Sequence, residues 1–104
     1  MKPFQVAPEA AREIDEAAMW YGSRRLGLGD DFIAELEALL LQIQQRPSTF
    51  PRLLDVPRDL GVRRAAMMRF PYALLFQDLE DHIHIIAVAH LRRRPGYWLN
   101  RLSL

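Results

Sequence analysis

The segment HLRRRPGYW, residues 90 to 98, places an imidazole, three guanidinium groups, a phenol and an indole in one short run. His90 can exchange a proton near neutral pH. Tyr97 can donate or accept a hydrogen bond and ionises only at high pH. Arg92, Arg93 and Arg94 offer planar forks of donors that fit phosphate or carboxylate. Two chemistries are open to such a set. RNA cleavage through the 2′-hydroxyl needs one group to take a proton, one to return it and a cation to stabilise the phosphorane; His90, Arg92, Arg93 and Tyr97 are the candidates. Partner binding needs no proton transfer, and arginine beside aromatics is the composition of interface hot spots. On that reading the surface comprises Arg63, Arg69, His90, Arg92, Arg93, Arg94, Tyr97 and Trp98. The plain alternative is a solvated strand end, with Trp98 closing the core in a last turn, GYWLNRL. His82 and His84 share one strand face and could form half of a metal site. No cysteine and no suitably spaced carboxylate completes it, so no metal and no cofactor are expected.

The elements that carry these side chains show as periodicities. KPFQV alternates Phe4 and Val6 and suits a strand at a sheet edge. Pro8 stands where a first helical turn tolerates proline. Ile14, Ala17, Ala18 and Tyr21 then recur at helical spacing, predicting a helix over about residues 8 to 25 with Trp20 and Tyr21 packed in the core. GLGDD breaks the pattern and supplies acids for a second helix start. Phe32, Leu36, Leu39, Leu40 and Ile43 form its apolar stripe, and Pro47 ends it. REIDEAA and ELEA read as solvated helix faces. After a proline-rich loop, RPSTFPRLLDVPRDLG, the runs VRRAAMMRF, YALLFQDL and HIHIIAVAHL predict three strands in an antiparallel meander. In the last of them Ile83, Ile85, Ala87, Ala89 and Leu91 alternate onto one face, which should meet the helices. His82, His84, Ile86, Val88 and His90 fall on the other. The expected fold is α+β in the order β-α-α-β-β-β: a helical hairpin on one face of an antiparallel sheet, the other face left available, and a short C-terminal helical turn.

Composition narrows the function classes. A chain of 104 residues holds one domain, 1–104, with an ordinary apolar content of 50%. No run is long and apolar enough for a membrane span, and the N-terminus lacks the apolar stretch of a signal peptide, so a cytoplasmic protein is expected. The formal net charge of +1 conceals a division. Residues 1 to 45 carry four basic and eight acidic side chains; residues 46 to 104 carry ten basic and five acidic. Thirteen of the fourteen cations are arginine, which fits the second half to an anionic partner.

APEAAREIDEAAMWY, GLGDDF, RPSTFP, RRAAMMRFPYALLF and IIAVAHLRRRPGYW resemble, in order and spacing, the ParE branch of the RelE/ParE superfamily of bacterial toxins, over about residues 4 to 101. The resemblance implies a type II toxin, part of a plasmid-stabilization or chromosomal stress module, neutralised by a cognate antitoxin, a small acidic protein. ParE-like members are associated with poisoning DNA gyrase, and RelE-like members cleave mRNA in the ribosomal A site. The RelE pattern has arginines where this chain has Ala73 and Leu91, while Tyr97 matches the terminal tyrosine. The departure favours a gyrase inhibitor that acts by binding over a ribosome-dependent endonuclease. The resemblance to the ParE branch also implies protein recognition over independent sequence-specific nucleic-acid binding. A third reading is an antitoxin-binding module that has lost toxicity.

Overall fold

A computed structural model describes residues 1 to 103 of the chain. These run β1 (Phe4–Val6), α1 (Pro8–Arg24), α2 (Leu28–Gln45), β2 (Val62–Ala66), β3 (Tyr72–Asp78) and β4 (Ile83–His90), with single 3-10 turns at Pro47–Thr49, Arg58–Leu60 and Leu99–Arg101. Pro8 opens α1, and Glu9 in the first turn faces the positive end of the helix. α2 begins one turn earlier than the glycines imply: Gly27, at φ 84°, caps it, and Gly29 lies inside the helix. A Cβ on Gly29 would stand 2.5 Å from the Ala18 carbonyl oxygen, so glycine lets the two helix backbones touch. A helix-interior glycine replaced by alanine ordinarily gains about 0.5–1 kcal/mol. Here the overlap reverses the sign, and Gly29→Ala is expected to lose about 1–3 kcal/mol in urea unfolding. An unchanged or raised unfolding midpoint would show that the helices do not meet there.

The main core lies between hairpin and sheet. Phe32, Leu36, Leu39 and Ile43 descend from α2, whereas the fully buried residues of α1 are the small Ala10 and Ala17. Leu74, Phe76, Ile83, Ile85 and Val88 rise from β3 and β4 to meet them. Tyr21 stacks on Phe32 at 5.7 Å and meets Phe70 edge-on at 4.7 Å. Trp20, expected inside, is 52% exposed and lies under the Arg24 guanidinium at 4.5 Å. It shares α1 with Tyr21 but is one residue off the buried stripe, which turns it outward.

The sheet order is β1-β4-β3-β2. β2, β3 and β4 pair antiparallel, as the short connections between them dictate. β1 pairs with β4 in parallel, correcting the wholly antiparallel expectation. No tight turn joins these two strands; the helical hairpin and two more strands separate them, so the turn geometry that imposes antiparallel pairing is absent. β2 ends at Ala66, short of the predicted Phe70. The following turn is held by α2, whose Glu35 carboxylate accepts the backbone N–H groups of Met68 and Arg69.

The far face of the sheet is also covered, against expectation. Val56, Val62, Leu75, Ile86, Ala87 and Trp98 form a second buried cluster beneath the proline-rich loop and the C-terminal segment. The uncovered apolar surface of those strands is what draws both segments onto the sheet. Gln77, a buried polar residue of the core, ties the end of the chain down: its amide N donates to the carbonyls of Leu60 and Ser103, and its oxygen accepts from the Ser103 N–H, each at 2.9 Å.

Candidate functional site

The site is built around an interruption in β4. Leu75 pairs with Ala87 but Phe76 pairs with Ile85, leaving Ile86 as an extra residue. Such a bulge re-aims the side chains beyond it. Ile83 and Ile85 face the helices as alternation predicts, and so then does Val88, while Ile86 and Ala87 belong to the far cluster. The predicted continuation of the helix-facing set through Ala87, Ala89 and Leu91 is therefore wrong. One inserted residue moves every later side chain to the opposite face.

Backbone groups freed at this edge are taken by side chains. β1 reaches only as far as Ile85, because α1 begins at Pro8. Beyond it, Glu13 Oε1 accepts the Val88 N–H at 3.1 Å, and Arg101 Nη1 donates to the Ile86 carbonyl at 3.2 Å. The same two residues form a nearly buried ion pair, Arg101 Nη1 to Oε1 at 3.0 Å and Nη2 to Oε2 at 3.2 Å, with side chains 9% and 12% exposed. Tyr97 donates its hydroxyl to Glu13 Oε2 at 2.7 Å. The sequence pattern places Glu13 on a solvated helix face, and the structure corrects this. Its partners are 75 to 88 residues away in sequence, so no periodicity reveals the pairing.

Tyr97 is consequently held neutral. Burial first, then the hydrogen bond and charge of Glu13, push its pKa up to about 12 despite the opposing guanidinium groups of Arg101 and Arg93. A raised folded-state value means stability that is complete below the ordinary pKa of about 10 and drains away as pH rises toward 12. Tyr21 and Tyr72 are also raised, by burial, so the comparison must be differential. Alkaline unfolding should be shallower in Tyr97→Phe than in wild type between pH 10 and 12; identical curves would place the hydroxyl outside this network.

The arginines leave the sheet in a compact turn. Leu91 N–H still bonds the Pro71 carbonyl at 2.9 Å, Arg93 N–H closes on the His90 carbonyl at 3.0 Å, and Tyr97 N–H reaches the Arg94 carbonyl at 3.3 Å. Gly96 supplies the positive φ of 79° the turn requires. Arg92 N–H donates to His90 Nδ1 at 3.0 Å, which places the proton of a neutral His90 on Nε2. Arg92, Arg93 and Arg94 are exposed. The Arg93 guanidinium lies 3.9 Å over the Tyr97 ring, and Arg101 approaches the same ring at 5.0 Å. An open groove of about 580 Å³ runs beside this turn, bordered by Glu13, Glu16, Trp20, Tyr72, His90 and Arg93.

The other predicted residues divide. Arg63 donates to the Phe50 carbonyl at 2.6 Å and so braces the proline-rich loop. Arg69 sits on the β2–β3 turn, exposed, 3.4 Å from Asp31 of α2 and two residues before Pro71, whose carbonyl accepts the Leu91 N–H. Trp98 is 5% exposed and packs in the far cluster. Ala73 and Leu91, where the ribonuclease pattern has arginines, do come together: both line a second groove, about 400 Å³, with Leu53, Val56, Leu75 and Trp98. Arg64 is a cation on its wall. His82 and His84 have separate partners, Asp81 Oδ1 at 2.7 Å and Gln77 Oε1 at 2.9 Å. Burial, then the neighbouring His82, holds the His84 pKa below the usual imidazole value. No helix among the described residues is long and apolar enough to cross a membrane.

No family model and no curated protein matches the sequence. Among solved structures, the chain is similar to one from the chromosomal ParDE TA system of P. aeruginosa, with a TM-score of 0.61 and 19% identity over 86% of this chain and 96% of that one. The helical hairpin on a four-stranded mixed sheet is thus a fold this chain shares with a chain of that ParDE TA system.

Proposed function

We propose that this chain is the toxin of a type II toxin–antitoxin module, that it acts in the cytoplasm by binding DNA gyrase, and that a small acidic antitoxin neutralises it. The fold supports the toxin reading, since the similar structure comes from a ParDE TA system. The observation that carries the choice of mechanism is the state of Tyr97. Its hydroxyl proton is committed to Glu13 and its pKa is pushed up to about 12, which makes it a weaker general acid than an ordinary tyrosine. The groove holding Ala73 and Leu91 is mostly apolar, with Arg64 and His90 on its wall but no arginine at either position the ribonuclease pattern uses to stabilise a phosphorane. What remains outward is Arg92, Arg93 and Arg94 beside an aromatic-lined groove, a surface suited to a partner's carboxylates.

Supercoiling by purified gyrase should be inhibited by the folded chain and restored by the acidic protein encoded beside it. Supercoiling indifferent to a large excess would sink the gyrase assignment. Cleavage of mRNA in the A site of translating ribosomes by the same preparation would establish the endonuclease instead. Harmless accumulation of folded protein on expression would leave an antitoxin-binding module.

A further inference from the structure

We propose that Glu13 is the positioning residue of the basic surface: its carboxylate holds Tyr97 and Arg101 against the bulged edge of β4, so that the arginine turn and the groove beside α1 form one rigid recognition surface. This rests on the reading that the surface binds a protein partner.

The turn's own hydrogen bonds, from Arg92, Arg93 and Tyr97 to the backbone and ring around it, fix its internal shape. They do not fix where it stands against α1. Of the contacts that fasten the tail, Trp98 packs into the far cluster and Ser103 bonds Gln77, both away from the helices. Among the described residues, Glu13 alone of the tail's hydrogen-bond partners lies on α1. It reaches Val88 of β4, Tyr97 and Arg101 at once, with both oxygens in use. Arg93 in turn takes its direction from the Tyr97 ring it covers at 3.9 Å. Glu13 and Arg93 then stand together on the border of the same groove. Release of the carboxylate therefore leaves Arg101 with the Ile86 carbonyl alone and the Tyr97 hydroxyl without its partner, and so loosens the ring and the cation resting on it.

The geometry demands a carboxylate. Glutamine has the same length but replaces one acceptor with an NH₂ donor, which would face the Arg101 guanidinium whichever way the amide turns, together with the Val88 N–H or the Tyr97 hydroxyl, of which only the hydroxyl can turn to accept. Charge and position also predict opposite results. Glu13→Gln raises the formal net charge of +1 by one unit, which by attraction alone should tighten binding to an acidic partner. Loss of positioning should weaken it.

The test titrates gyrase supercoiling with wild type, Glu13→Gln and Arg101→Lys, which keeps the charge but loses the fork. Amide hydrogen exchange is followed in the same proteins at Val88, Arg93 and Tyr97, with Ile43 and Leu74 of the main core confirming the folded fraction. We expect Glu13→Gln to require about tenfold more protein for half-inhibition, Arg101→Lys about threefold more, and the Val88 and Tyr97 amides of both to exchange at least about tenfold faster while the core amides hold. Inhibition by Glu13→Gln equal to or stronger than wild type, with the tail amides freed, overturns the proposal, because the arginines would then work without being held. Tail exchange as slow as wild type overturns it also. If wild type itself leaves supercoiling untouched, it is the gyrase reading that fails, and the exchange data alone decide whether Glu13 fixes the turn.

Discussion

Glu13→Ala is expected to cost about 3–5 kcal/mol, the range for breaking a buried ion pair by deleting one partner. The deletion would leave the Arg101 side chain, 9% exposed, without the carboxylate it bonds, and would strand the Val88 N–H and the Tyr97 hydroxyl. For a domain whose whole stability is about 5–15 kcal/mol, that is a large share. The melting midpoint should fall by more than about 10 °C. Removing both partners is gentler, because two apolar side chains leave no unpaired charge. Glu13→Ala with Arg101→Met should therefore cost clearly less than the two single changes added together, and a double-mutant cycle in urea measures the difference. A loss below about 1 kcal/mol for Glu13→Ala, as an exposed pair would give, contradicts the burial on which the network depends.

Trp98→Ala is expected to cost about 3–5 kcal/mol, the usual figure for truncating a buried aromatic. Trp98 is 5% exposed and lies among Val56, Val62, Leu75, Ile86 and Ala87, so its loss opens the cover of the far sheet face from the middle. From sequence it serves two readings, partner hot spot or core. The indole packs inward, and the effect of its removal should be read in denaturant unfolding, where the midpoint falls and the slope is held. Binding measured per folded molecule should move less than it does on changing Arg93, which faces outward. Unchanged stability in Trp98→Ala would mean that the tail is not part of the fold.

Both predictions concern the segment after β4, and its two halves differ in how far the sequence reveals them. The arginine turn is readable: a polar run after an alternating strand, closed by Pro95 and Gly96, has to leave the sheet. What holds it is not readable. Glu13, the Ile86 bulge and Arg101 are each ordinary in their local context, and their meaning arises only when α1, β4 and the chain end meet. Gly29 makes the same point for the hairpin. As a sequence symbol it marks a turn; in the structure it marks the contact of two helix backbones.

The amino-acid sequence by itself determined the order of elements, the antiparallel meander of β2 to β4, the apolar stripe of α2 and the exit of the arginines, because each follows from periodicity or from turn residues within a few positions. Tertiary structure decided the rest: the parallel pairing of β1, the reversal of faces beyond Ile86, the burial of Trp98 and the clamp at Glu13. These depend on which surfaces and unpaired backbone groups remain once the local elements form, and the chain satisfies them with residues as far apart as Glu13 and Arg101, whose pairing no local pattern encodes.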